Sequence, residues 1–120
     1  MDATDMPAET DKVLRAYRFA GFEVNLRTRR LRAPDGSALR ISNGELNLLA
    51  ALCAQARCAL TREQLIEASH VFDNEVHDRA IDVQIMRLRR KLHIHSGQPP
   101  LIRTVKGRGY KLDVAVEVVY

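Results

Sequence analysis

Residues 78–92 read DRAIDVQIMRLRRKL, and this stretch decides the fold. Wound as a helix at roughly 100° per residue, it gathers Ile81, Ile85, Leu88 and Leu92 into one narrow stripe. That spacing predicts a helix docked on a core. Arg79, Val83, Met86, Arg87 and Arg90 fall on the opposite side. The outward face is therefore cationic, with one compact apolar residue, Val83, near its middle. Asp78 is placed to cap the N-terminus, where free amides and the helix dipole favour a carboxylate.

Such a face suits the major groove of duplex DNA. Guanidinium forks reach guanine edges or phosphates, and a small apolar side chain touches a thymine methyl. A basic face on one helix is also what a solvated surface helix shows. The sequence downstream separates the two readings. Residues 101–105 and 109–113 read as two strands around Lys106-Gly107-Arg108, a hairpin with Gly where unusual backbone angles are needed. Its tip holds Lys106 and Arg108, and its arms hold Arg103 and Lys111. A basic hairpin beside a basic helix points to nucleic acid.

The charge distribution agrees. Net charge over the 120 residues is +4, with a pI near 9.4. Residues 79–111 hold nine Lys or Arg against Asp82 alone, whereas residues 1–14 are net acidic. Cations concentrated in this way are the footprint of a polyanion binder. The length suits one domain. No apolar run approaches a membrane span, and the acidic start does not resemble a signal peptide, so a soluble cytoplasmic protein is expected.

Other chemistries find less support. Cys53 and Cys58 form neither a CxxC motif nor a disulfide framework, and read as core or surface thiols in a reducing compartment. His70, His77, His93 and His95 lack zinc spacing with either cysteine, and His93 and His95 at a helix end answer its dipole. Asp73, Glu75 and Asp78 are the carboxylates a magnesium-dependent nuclease would use, but no base, nucleophile or phosphate-binding glycine loop accompanies them. The expectation is no enzyme, no metal and no cofactor.

Upstream, residues 1–15 are polar and acidic and read as a disordered tail or interdomain linker. Short β-like runs follow at Tyr17 and Phe19, at Phe22, Val24 and Leu26, at Leu31 and Ala33, and at Leu39 and Ile41, with a turn at Pro34-Asp35-Gly36-Ser37. These predict a four-stranded antiparallel sheet. Ser42 with Glu45 forms a capping box stapled by Ile41 onto Leu46, starting a helix to about residue 56. Thr61 with Gln64, stapled by Leu60 onto Leu65, starts a second to about residue 69. Residues 69–77, SHVFDNEVH, read as a loop that either tucks Val71 or Phe72 into the core or contacts a partner protein. The domain spans residues 16–114, and the apolar residues 115–120 find no place in it.

Sheet, three helices and C-terminal hairpin make an α+β winged helix-turn-helix. At DRAIDVQIMRLRRKL followed by IRTVKGRGYKL, the sequence resembles the effector domain of the OmpR/PhoB family of bacterial response regulators. The likeness extends through ISNGELNLLAAL and LTREQLIEA, covering roughly residues 17–113, nearly all of the chain expected to be ordered. It implies a transcription factor whose third helix enters the major groove while the wing touches the neighbouring minor groove. On matching positions Arg87 is the main base reader and Val83 an apolar base contact. Arg79, Gln84, Arg89, Arg90 and Thr104 meet phosphates, and Lys106, Arg108 and Tyr110 belong to the wing, Tyr110 at its junction with the helix.

The resemblance also implies tandem binding of two copies and contact of Phe72, Asp73, Asn74 and Glu75 with RNA polymerase. A phosphorylated receiver domain and a sensor kinase act upstream, and no receiver fits in 120 residues, which leaves an excised effector domain or a stand-alone relative. Ala80 stands where the family often has a hydroxyl, Met86 where it often has a charge, and Lys106 where it often has Arg. Gly44 departs too, weakening the first helix by about 1 kcal/mol relative to Ala. The competing reading is a winged-helix module for protein interaction, which gains little from so basic a face unless its partner is acidic.

Overall fold

The computed structural model describes residues 13–70, 81–96 and 99–120. Four short strands open the chain: β1 (Ala16–Phe19), β2 (Phe22–Asn25), β3 (Arg30–Arg32) and β4 (Ala38–Leu39). Alternation sets their faces. Tyr17, Phe19, Phe22, Val24 and Leu31 point into the core, while Arg18, Arg30 and Arg32 point out. The sequence predicts four strands here, and the structure has five. β7 (Glu117–Val119) returns from the C-terminal segment and pairs antiparallel with β1, giving the order β4-β3-β2-β1-β7. Alternation along 114–120 carries no information about which edge it joins, so its place was not legible locally.

Helix α1 (Asn43–Ala54) starts on the predicted capping box. The Glu45 amide donates to Ser42 Oγ at 3.1 Å, and the Ser42 amide donates to Glu45 Oε1 at 3.1 Å. Every residue from Gly44 to Cys53 is buried, because the helix lies between the sheet and the other helices. Its Leu/Ala-rich composition suits that position, and the buried Glu45 and Asn47 are hydrogen-bonded to Ser42, Lys91 and Arg29. Arg29, in a left-handed conformation at the β2–β3 turn, ties the sheet to this helix by donating to Asn43 Oδ1 at 3.1 Å and Asn47 Oδ1 at 2.6 Å.

Helix α2 (Arg62–His70) starts on the second box, with Gln64 amide to Thr61 Oγ1 at 3.0 Å and Thr61 amide to Gln64 Oε1 at 2.9 Å. Helix α3 (Ile81–Ser96) runs four residues past the predicted end and carries His93 and His95 in its last turn. The expected cap at Asp78 lies outside the described residues. β5 (Ile102–Val105) and β6 (Gly109–Leu112) form the hairpin, with Ile102 opposite Leu112 and Thr104 opposite Tyr110.

The hairpin is stitched to the rest by backbone. Leu60 and Tyr110 exchange amide bonds of 2.8 and 2.9 Å, and the Arg57 amide donates to Leu112 O at 2.8 Å. Gly109 makes this approach possible. Its φ is +149°, and a Cβ there would run into the Leu60 carbonyl.

Candidate nucleic-acid interface

The stripe predicted for α3 is the buried one. Ile81, Ile85, Leu88 and Leu92 are each at most 1% exposed, packed with Leu46, Leu49 and Leu65 in one core. This seats the helix firmly and fixes what faces away. Val83 is 41% exposed and Met86 52%, and Arg87 and Arg90 stand exposed around them. Neither arginine makes a hydrogen bond or ion pair among the described residues, so their guanidiniums are available to an outside acceptor.

The flanks of the helix are committed elsewhere. On one side Lys91 Nζ donates to the buried Glu45 Oε1 at 2.5 Å, cross-linking α3 to the start of α1. On that same side the half-buried Gln84 lays its amide over Gly44, and its Oε1 is buried without a hydrogen-bond partner. A Cβ at position 44 would meet that amide, the far end of a flexible side chain, and displace it.

On the other side α3 is bound to the wing. Arg89 Nε donates to Ile102 O at 2.9 Å and its Nη2 to Thr104 Oγ1 at 2.9 Å. Arg89 and Thr104, expected from the resemblance to meet phosphates, are thus joined to each other. Beside them Tyr110 is buried, with the Arg89 and Arg62 guanidinium carbons 5.7 and 5.9 Å from its ring centre. The Tyr110 hydroxyl donates to Asp82 Oδ1 at 2.6 Å, and Arg62 grips the same carboxylate through Nε at 2.9 Å and Nη2 at 3.1 Å.

These contacts move the acidities. Hydrogen bonds from Arg62 and then Tyr110 hold the Asp82 carboxyl below the usual carboxylate range. Burial, followed by the hydrogen bond to Asp82, pushes the Tyr110 hydroxyl up. Reading the sequence missed Arg62 and Asp82 as members of the site. One signal was available, since Asp82 is the sole acid among residues 79–111.

At the wing tip the Arg108 amide donates to Val105 O at 2.9 Å, closing the turn with Gly107 at φ +77°. Lys106 and Arg108 are exposed there. Together with Arg62, Thr104 and Tyr110 they line an open cavity of about 430 Å³ between the wing and the start of α2. Arg103 pairs instead with Asp113 at 3.0 Å. The predicted contacts Arg79 and Phe72, Asp73, Asn74 and Glu75 lie outside the described residues, as does Asp78 of the carboxylate cluster. Among the described residues no group of three or more His, Cys, Asp or Glu could hold a metal, and no helix is long and apolar enough to cross a membrane.

Residues 36–112 match the family model described as transcriptional regulatory protein, C terminal. The regulatory protein VirG of Agrobacterium fabrum is 48% identical over 106 residues, covering 88% of this chain and 42% of VirG. The aerobic respiration control protein ArcA of Escherichia coli is 27% identical over 104 residues, 87% of this chain and 44% of ArcA. The chain therefore spans less than half the length of these curated relatives. Among solved structures, the Klebsiella pneumoniae RstA DNA-binding domain in complex with the RstA box superposes with a TM-score of 0.66 at 26% identity, covering 82% of this chain and 96% of that one. The DNA-binding domain of Escherichia coli CadC superposes at 0.74 and 24% identity, covering 88% and 97%.

Proposed function

The chain belongs to the family of transcriptional regulatory protein C-terminal domains, the OmpR/PhoB-type DNA-binding domains, and from that premise we propose how it reads its target. It binds duplex DNA sequence-specifically to regulate transcription, with α3 in the major groove and the hairpin at the adjacent minor groove. The observation that carries this reading is the pair of exposed arginines, Arg87 and Arg90, without a partner among the described residues, flanking exposed Val83 on the face of α3 opposite the core.

Arg87 reads a guanine edge and Val83 a thymine methyl. Arg90 and Arg79 meet phosphates, and Lys106 and Arg108 follow the backbone or the minor groove beside the wing. Gln84 reaches a phosphate only by leaving its seat over Gly44. Arg89, with Thr104 and Tyr110, presents the wing and keeps the remaining guanidinium N–H groups for the backbone.

The domain acts in the cytoplasm as the effector half of a response regulator, downstream of a receiver domain and a sensor kinase. Two copies bind in tandem, with residues 72–75 turned to RNA polymerase. It performs no catalytic step of its own. VirG and ArcA, each more than twice as long as the matched segment, support this wider reading by their similarity.

Selection of bound duplexes from a random-sequence pool at physiological salt tests it. Enrichment of a short motif, repeated in tandem, is the expected result. Salt-sensitive retention without enrichment would overturn sequence specificity. No retention would overturn DNA binding and direct attention to a protein partner.

A further inference from the structure

We infer that Met86 is a second base-reading residue of α3, taking the C5-methyl group of a pyrimidine in the base pair next to the one Val83 reads. The inference rests on the proposed placement of α3 in the major groove. Met86 is exposed on the outward face beside Val83, at 52% against 41% for Val83. They lie three residues apart, and are therefore neighbours on one face of the helix. Three residues rise about 4.5 Å along a helix axis. A base-pair step is about 3.4 Å. Side chains so spaced along the groove meet successive base pairs.

The surroundings select the occupant. Arg90 and Arg87 flank the two residues with guanidiniums that have no partner among the described residues, which favours a polyanionic occupant. A shallow cavity of about 290 Å³ opens beside Met86, lined also by Arg89, Arg90, His93 and Pro100. In a polyanion's major groove, the apolar group that projects from a base edge is the pyrimidine C5-methyl. A flexible thioether adapts to such a protrusion and gains dispersion contacts from it. The position is one where the resembled family often carries a charge. Met in place of a charge offers the groove an apolar contact at this position.

The test uses the selected duplex with each thymine replaced in turn by deoxyuridine, which removes the methyl and nothing else. Two adjacent positions should each lose roughly four-fold in affinity, the value of one buried methyl. Met86→Ala should erase the loss at one of them and Val83→Ala at the other, with Met86→Leu restoring the first. At the Met86 position a 5-methylcytosine–guanine pair should bind roughly four-fold tighter than its unmethylated counterpart. Whichever methylated base binds tighter there identifies the natural source of the methyl. A Met86→Ala variant that weakens all duplexes alike, or leaves every deoxyuridine loss in place, overturns this inference alone. If no motif is selected at all, the DNA reading and this inference fall together.

Discussion

The Tyr110 hydroxyl, on the second strand of the wing, donates to Asp82 Oδ1, in the first turn of α3, at 2.6 Å. One carboxylate therefore joins three elements, since Arg62 of α2 holds it from the other side. Removing the hydroxyl with Tyr110→Phe keeps the buried ring and should cost about 0.5–1.5 kcal/mol of stability. Affinity for all duplexes should fall together, because the wing loses its registration with α3 while no base reader is touched. A change of motif in repeat selection would contradict that.

The same carboxylate gives a pH dependence. Its folded-state acidity is raised by its two donors, so its contribution is complete above the ordinary carboxylate range and fades as pH falls through the lower folded value. Urea midpoints of the natural chain and Asp82→Asn, followed from about pH 5 to about pH 2, should converge on acidification. A gap that stays constant would mean Asp82 does not titrate as its contacts require.

Gly109→Ala should be severe and Gly107→Ala mild. Both glycines have positive φ, but a Cβ at 107 meets open space whereas one at 109 meets the Leu60 backbone. About 1 kcal/mol is expected at Gly107. At Gly109 the strained backbone adds to loss of the Leu60–Tyr110 bridge, for about 3 kcal/mol or more. Thermal unfolding of the two variants orders them directly.

Gly44→Ala should stabilise, by less than about 1 kcal/mol. The new methyl evicts the end of a flexible side chain, and the buried Gln84 Oε1 it displaces has no partner to lose. With Gln84→Ala already in place, the same change should give the whole propensity gain. Equal effects in the two backgrounds would show that Gln84 has no influence on the gain, and a loss of stability in the natural background would show that it does not yield to the methyl.

Arg87→Ala should cost about 1–3 kcal/mol on the selected site and relax preference at one base pair. Lys106→Ala should weaken all sequences alike and reduce the salt slope by about 1, from a value of roughly −5 if about six phosphates are neutralised. Titrations at several salt concentrations on matched and scrambled duplexes separate the two.

Local devices were legible in the sequence and long-range ones were not. Both capping boxes and the buried stripe of α3 depend on residues three or four apart, and all are present as spelled. The wheel also put Arg89 and Gln84 on the flanks. It could not say that one flank abuts the wing and the other α1, because those neighbours arrive from residues 102–104 and 44. Arg62, Asp82 and Tyr110 are 20 and 28 positions apart and meet only once the hairpin folds back. The role of residues 117–119 was invisible for the same reason.

That last strand changes how the domain behaves in a crowd of its own kind. With β7 in place, the backbone of β1 is paired on both sides, and the sheet ends in strands of two and three residues. Edges that short make poor templates for another chain. Ending the chain after residue 113 would leave β1 open along its length, with unclaimed amides and carbonyls beside a row of buried aromatics. A domain trimmed in that way keeps its reading helix and wing, yet it should self-associate as concentration rises.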